Sequence, residues 1–293
     1  MPDIHLRFHK DMLVLSGSLD AALRERGFDL EQERELLLVT EPETVLEPLR
    51  LESIAGAQCL VLPTAGITRA RLAHVRAEGS AQTIANAALG IAAKLSAQHV
   101  LAEIGPTGLP LDATSKTSLT ANRDQYADAA RLFSESGIDA LFLNGMAGAD
   151  DLRCALMGVR KVWDGPVFAS VVVDEYGTVS WRGGALEEAL SVMVEYEASV
   201  AGIQTGAAPD KAADLVGRMV NACDLPVLVQ IDVSQVHARD PHDENPYWHP
   251  DFAMSAAGVL RAAGAQFLRA CGNAVASYTG ALVAATMGTD AVR

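Results

Sequence analysis

Positive charge is scarce in this 293-residue chain: 23 Lys and Arg stand against 37 Asp and Glu, a formal charge of −14. No Lys/Arg cluster is present, which argues against a nucleic-acid binder, since neutralising phosphates requires a basic face. Cysteine is sparse too. The four, at positions 59, 154, 223 and 271, are far apart with no CxxC pair, which argues against a disulfide framework or a local zinc knuckle. No apolar run reaches the ~18–20 residues of a membrane span. The start, Met1-Pro2-Asp3-Ile4-His5, lacks the basic-then-apolar layout of a signal peptide. The expectation is a soluble cytoplasmic protein. The sequence also contains no Gly/Ser/Pro linker, no Walker loop, no GxGxxG and no GxSxG elbow.

What is present is a repeating alternation. Hydrophobic residues make up 49% of the chain and charged residues 20%, the mix of a protein with a large core. Short apolar runs predict strands at Met12–Leu15, Gln58–Leu62, Val100–Ile104, Ala140–Asn144, Val167–Val173, Ser199–Gln204, Val227–Val233 and Gln266–Ala270. Several are apolar without interruption, as in Cys59-Leu60-Val61-Leu62, which suits parallel strands covered on both faces. Amphipathic stretches lie between them. In Gln125–Ser136, for example, Tyr126, Ala129, Ala130 and Phe133 fall at helical spacing. Gly56, Gly137, Gly165 and Gly264 each precede a strand, where a glycine can end the preceding helix in a left-handed conformation. Eight β-then-α units predict a single-domain (β/α)8 TIM barrel over residues 1–293, with an open doubly wound sheet as the rival. His237–Pro250 is the one long irregular stretch.

In such a barrel the chemistry belongs at the C-terminal strand ends. Polar residues there make Ser16, Thr64, Asn144, Gln204, Thr205 and Ser234 candidate substrate contacts, and Asp232 a candidate general base or cation partner. Arg24, Arg26, Arg69 and Arg71 read as helix-surface residues. The segment from His237 to His249 carries three His and three acids, which could form a metal site or simply a solvated loop.

These strand ends resemble those of the homocysteine S-methyltransferase family, whose barrel also serves cobalamin-dependent methionine synthase. Leu15-Ser16-Gly17-Ser18-Leu19-Asp20 resembles its DGAMGT-like start, and Pro63-Thr64-Ala65-Gly66-Ile67-Thr68-Arg69 its N-T-F-G-A-N-R segment. Glu41-Pro42-Glu43-Thr44-Val45 through Ala55-Gly56-Ala57 resembles its P-E-x-V … A-G-A-D helix. Ile104-Gly105-Pro106-Thr107-Gly108 matches I-G-P-T-G outright. Gly202-Ile203-Gln204-Thr205 falls on G-x-N-C, and Leu268-Arg269-Ala270-Cys271-Gly272 on G-G-C-C-G.

The resemblance implies methyl transfer at a Zn²⁺ held by three cysteines, with the homocysteine thiol in the open fourth position. Here the first ligand position is Thr205 and the second is Ala270, so Cys271 is the only one retained. Ser16 and Asn144 stand where the family has carboxylates, and Asp232 where it has Asn. Zinc is therefore not expected. The expectation is a methyltransferase on such a barrel, acting on a small polar substrate other than homocysteine, with Asp232 and Cys271 as the candidate catalytic residues. A separate corrinoid protein would be the partner that carries the methyl group, and the weakly charged outer helices favour a homodimer. Two alternatives remain. One is a non-catalytic barrel that binds a ligand or a partner subunit; the other is a homocysteine methyltransferase with a metal site rebuilt from Cys271 and the His237–His249 segment. Cys271 also reads as a small buried side chain.

Overall fold

Alternate residues of each apolar run face opposite ways, and both faces are covered. A computed structural model describes residues 3–31, 33–180, 183–233 and 250–292. Its strands are β1 (Leu13–Val14), β2 (Cys59–Leu62), β3 (His99–Ile104), β4 (Ala140–Met146), β5 (Val167–Val172), β6 (Val200–Thr205), β7 (Val227–Asp232) and β8 (Ala265–Cys271). Its α-helices are α1 (Asp20–Glu25), α2 (Leu37–Thr40), α3 (Pro42–Ile54), α4 (Arg69–His74), α5 (Ala81–Ala92), α6 (Lys116–Arg131), α7 (Ala149–Val159), α8 (Leu186–Glu195), α9 (Pro209–Ala222), α10 (Pro250–Ala263) and α11 (Ala276–Thr286). All paired strands run parallel in the order β1-β8-β7-β6-β5-β4-β3-β2. A parallel bridge between Leu15 and Cys59 closes the ring, so the architecture is the (β/α)8 barrel and not an open sheet.

Strand β2 shows the two-sided burial. Leu60 and Leu62 pack outward under the helices, while Cys59 and Val61 join a separate cluster inside the ring. Inside, Phe142, Phe168 and Phe267 meet edge to face, with ring centroids 6.3 and 4.9 Å apart. The chain before β1 plugs the bottom of the ring. Ile4 is buried there, and Phe8 sets its ring 6.2 Å from Phe168 and 5.9 Å from Phe267. Each such buried aromatic contributes roughly 1.5–3 kcal/mol. The N-terminal end of the barrel is sealed by these residues.

Two departures from the sequence pattern affect the loops. Helix α6 starts well before Gln125, because Ser115 caps it by accepting from the Ser118 amide at 3.3 Å. Tyr126, Ala129, Ala130 and Phe133 are all buried as the spacing predicts. Strand β4 runs on to Met146 past an irregularity in its pairing with β5, where Gly145 has φ 66°. Gly56, Gly137 and Gly264 adopt the left-handed conformation, but Gly165 does not; it is small because a Cβ would lie 2.6 Å from the Trp163 ring. Residues 234–249, with Ser234 and the His237–His249 segment, lie outside the described residues.

Candidate active site

Counting inward positions along each strand leads up from the phenylalanine layer to a polar one. Two residues above Leu101, Phe142, Phe168, Leu228 and Phe267 come Glu103, Asn144, Ser170, Gln230 and Arg269. These side chains bond one another. Arg269 lies 3.6 Å from the Glu103 carboxylate (Nη1 to Oε1), donates from Nη1 to Gln230 Oε1 at 3.0 Å and donates from Nε to the Ser16 carbonyl at 3.0 Å. Gln230 Nε2 donates to Asn144 Oδ1 at 2.7 Å and to Ser170 Oγ at 3.1 Å, and Asn144 Nδ2 donates to Glu103. Arg269 is only 4% exposed and Glu103 8%. A buried ion pair of this kind is tolerable because each charge is also hydrogen-bonded.

Above this floor opens a cavity of about 290 Å³ at the C-terminal end of the barrel. Glu103, Asn144, Gln204, Asp232, Arg269 and Cys271 face it from the strands. Gln204 Nε2 donates to Asp232 Oδ2 at 2.8 Å. Asp20, Arg24 and Arg34 form the rim: Arg34 holds Asp20 at 2.7 Å, and Arg24 approaches the same oxygen at 3.8 Å. Arg24, expected on a helix surface, is half exposed yet reaches this opening, whereas Arg69 and Arg71 are exposed as expected.

Four of the sequence candidates, Asn144, Gln204, Asp232 and Cys271, therefore share one cavity. Three others lie outside it. Ser16 Oγ accepts from the Val61 amide at 2.9 Å and so helps to close the seam between β1 and β2. Thr64 Oγ1 donates to the Glu103 carbonyl at 2.8 Å. Thr205 faces outward, towards the layer between α9 and α10, and its Oγ1 accepts from the Ala207 amide at 3.2 Å. Glu103, Ser170, Gln230 and Arg269 were not among the candidates. Their signal was parity: each is a polar residue on the inward register of an apolar strand.

The Ile104–Gly108 motif acts from behind. Gly105 donates its amide to the Ala65 carbonyl at 2.7 Å, and the Thr107 amide donates to Tyr126 Oη at 3.3 Å. Tyr126 in turn donates to Asp151 at 2.7 Å. Glu52 of α3 supports the first loop similarly, accepting from the Gly17 amide at 2.7 Å and from Thr279 Oγ1 at 2.6 Å. Burial pushes the Glu52 carboxyl above its ordinary 4.5, against the hydrogen bonds from Gly17 and Thr279.

Cys271 is buried, with its thiol 3.5 Å from the Ile231 carbonyl. Burial, with the Asp232 carboxylate nearby, holds that thiol well above its ordinary 9.0, and the Arg269 guanidinium offsets this only in part. Those surroundings favour the neutral thiol over the thiolate.

The sequence profile of the homocysteine S-methyltransferase family matches residues 13–285. The chain belongs to that family. A methionine synthase from Mycobacterium tuberculosis is 23% identical over 280 residues, which covers 89% of this chain and 23% of that protein. The chain thus spans less than a quarter of that relative's length. Two solved structures of the homocysteine methyltransferase MmuM from Escherichia coli, metallated and oxidised, superpose with TM-scores of 0.74 and 0.76. Each is 18% identical, with 94% of this chain and 96% of that one covered. At that identity the likeness is one of fold.

The zinc implied by the family does not fit the residues at its three ligand positions. Thr205 is turned outward, Ala270 has no donor atom, and Cys271 is left as a single thiol that shares its cavity with the Arg269 guanidinium. Among the described residues no group of three His, Cys, Asp or Glu side chains is arranged to hold a metal. Nor is any helix of those residues long and apolar enough to cross a membrane.

Proposed function

We propose that this protein transfers a methyl group to or from a small polar substrate other than homocysteine, bound in the barrel mouth. The observation that carries the reading is the cavity itself. In a family member its strands contribute an arginine, two amides, two carboxylates and a single cysteine where a three-thiolate metal site would need to be. With no thiolate set to activate a sulfur nucleophile, rate must come from positioning and fixed charge. Asp232 is the proposed proton acceptor, oriented by the Gln204 amide 2.8 Å away. In the acceptor direction the substrate heteroatom attacks the methyl carbon, the bond to the donor breaks, and the heteroatom's proton passes to the Asp232 carboxylate. Cys271, as a neutral thiol, would pack against the substrate.

The proposed methyl carrier is a corrinoid on a separate protein. A space of about 290 Å³ takes a small molecule and leaves no room for a macrocycle, which would have to present its methyl group from outside the mouth.

The test is transfer of isotopically labelled methyl groups from S-methylmethionine, betaine and protein-bound methylcobalamin to a panel of thiols, amines, hydroxy acids and carboxylates. The expected result is transfer to a non-thiol acceptor, reduced about 10²–10⁴-fold in Asp232→Asn. Zinc-dependent methylation of homocysteine would overturn the reading. No transfer from any donor would favour a barrel that binds without catalysis.

A further inference from the structure

The polar layer under the cavity satisfies most of its own hydrogen bonds, which makes the groups left over informative. Asn144 Nδ2 is engaged by Glu103, and Gln204 Nε2 by Asp232. Arg269 uses Nε on the Ser16 carbonyl and Nη1 on Gln230 and Glu103. Its Nη2 makes no hydrogen bond among the described residues. It is also absent from the sealed, unpartnered atoms, which among those residues are Arg34 Nε, His99 Nε2 and Arg160 Nε. The guanidinium lines the cavity, so Nη2 is the nitrogen it has left for a ligand there. The side chain cannot swing away, since two of its nitrogens are tied and its plane lies over the Phe142 ring, 5.6 Å from the centroid.

The neighbours complete a polarity. Gln204, Gln230 and Arg269 are aligned across β6, β7 and β8, and Asp232 pairs in register with Cys271 just above. The cavity therefore presents a cationic donor on its β8 side. On the β6–β7 side stand the side chains of Gln204 and Asp232, which bond each other and carry acceptor oxygens.

We infer that Arg269 is the specificity residue of this mouth and that it takes the carboxylate of a small ligand whose hydroxyl or amine donor points to Gln204 and Asp232. The inference rests on the proposed reading of the mouth as the substrate site and narrows it to small substituted carboxylates. The recognition is a charge-assisted hydrogen bond from a fixed, desolvated guanidinium, the strong kind of polar contact. Supplied within an acidic chain of charge −14, it offsets the general repulsion of anions locally. The donor-bearing heteroatom of the ligand is then the atom next to the proposed proton acceptor.

The experiment measures binding to the full chain, with no methyl donor present. The probes are lactate, its neutral isostere lactamide, and propanoate, titrated calorimetrically and by saturation-transfer NMR in chloride-free buffer. Lactate should bind at least about tenfold tighter than lactamide, the scale of one charge-assisted bond, and tighter than propanoate. That preference should vanish in Arg269→Gln. It should vanish equally in the double variant Arg269→Gln/Glu103→Gln, which leaves no lone buried charge and keeps the result interpretable if the single variant unfolds. Arg24→Gln/Arg34→Gln should retain the preference for lactate. Equal binding of lactate and lactamide, no binding of either, or a preference lost only in the rim variant would each overturn the inference. Methyl transfer is scored separately: transfer that persists without the carboxylate preference sinks this inference alone, and a preference without any transfer sinks the proposed activity alone.

Discussion

Arg269 on β8 and Glu103 on β3 meet across the floor of the barrel mouth, Nη1 to Oε1 at 3.6 Å, with Gln230, Asn144 and the Ser16 carbonyl completing their hydrogen bonds. The pair ties two distant strands together and sets the charge pattern of the cavity above it.

Removing one partner leaves the other charged, buried and uncompensated. Glu103→Leu and Arg269→Met should each destabilise the fold by about 3–5 kcal/mol. Glu103→Leu/Arg269→Met should cost far less than the two single changes added. Urea unfolding of the four proteins forms a double-mutant cycle. Additive losses would mean that the two side chains act independently.

The cysteines should differ sharply in reactivity. Burial lifts the Cys59 thiol to about 12 and, helped by Asp151, the Cys154 thiol to about 11; Cys271 is also raised well above 9.0. Cys223 is the partly exposed one. Iodoacetamide at neutral pH should label Cys223 first and the other three only after denaturation, as read by peptide mass spectrometry. Prompt native labelling of Cys271 would contradict its burial as a neutral thiol.

The fold was legible because its pattern is local. All eight strands fall within two residues of the apolar runs that predict them, since a strand covered on both faces is apolar along most of its length. The extension of β4 was not legible, because it depends on the Gly145 irregularity in its pairing with β5. The site was half legible. A polar residue at a strand end announces itself, but its direction does not. Asn144, Gln204 and Asp232 point inward, whereas Ser16, Thr64 and Thr205 find backbone partners away from the cavity. Arg269 lies two residues below the strand end and was hidden in a motif where the family writes glycine. Its parity with Phe267 was the available clue.

Glu52 should add a pH dependence to stability. Its folded-state carboxyl titrates above the ordinary 4.5, chiefly from burial. Between 4.5 and that raised value the native state keeps a proton the unfolded chain has released, so this contribution falls as pH rises. Glu52→Gln still accepts from Gly17 and Thr279 through its amide oxygen. The stability of the variant relative to the parent should therefore rise across that window and level off above it, as measured by urea midpoints from acid to neutral pH. A difference that stays flat, or that falls with pH, would contradict the assignment.

The Tyr126–Asp151 pair should matter for stability and for the shape of the Gly105–Gly108 loop. Tyr126→Phe removes a buried hydroxyl that donates to Asp151 and accepts from Thr107. A loss of about 1–3 kcal/mol is expected, with a smaller effect on ligand binding. Thermal unfolding and a lactate titration separate the two effects. An unchanged melting temperature would show that the pair does not support the loop.

The central claim is that this barrel works without a zinc–thiolate centre. The most direct measurement is the metal content of the purified, zinc-loaded protein by elemental mass spectrometry, made on the parent and on Cys271→Ala. The account predicts far less than one zinc per chain in both. One zinc per chain in the parent, lost in Cys271→Ala, would contradict it and return homocysteine as the substrate to test.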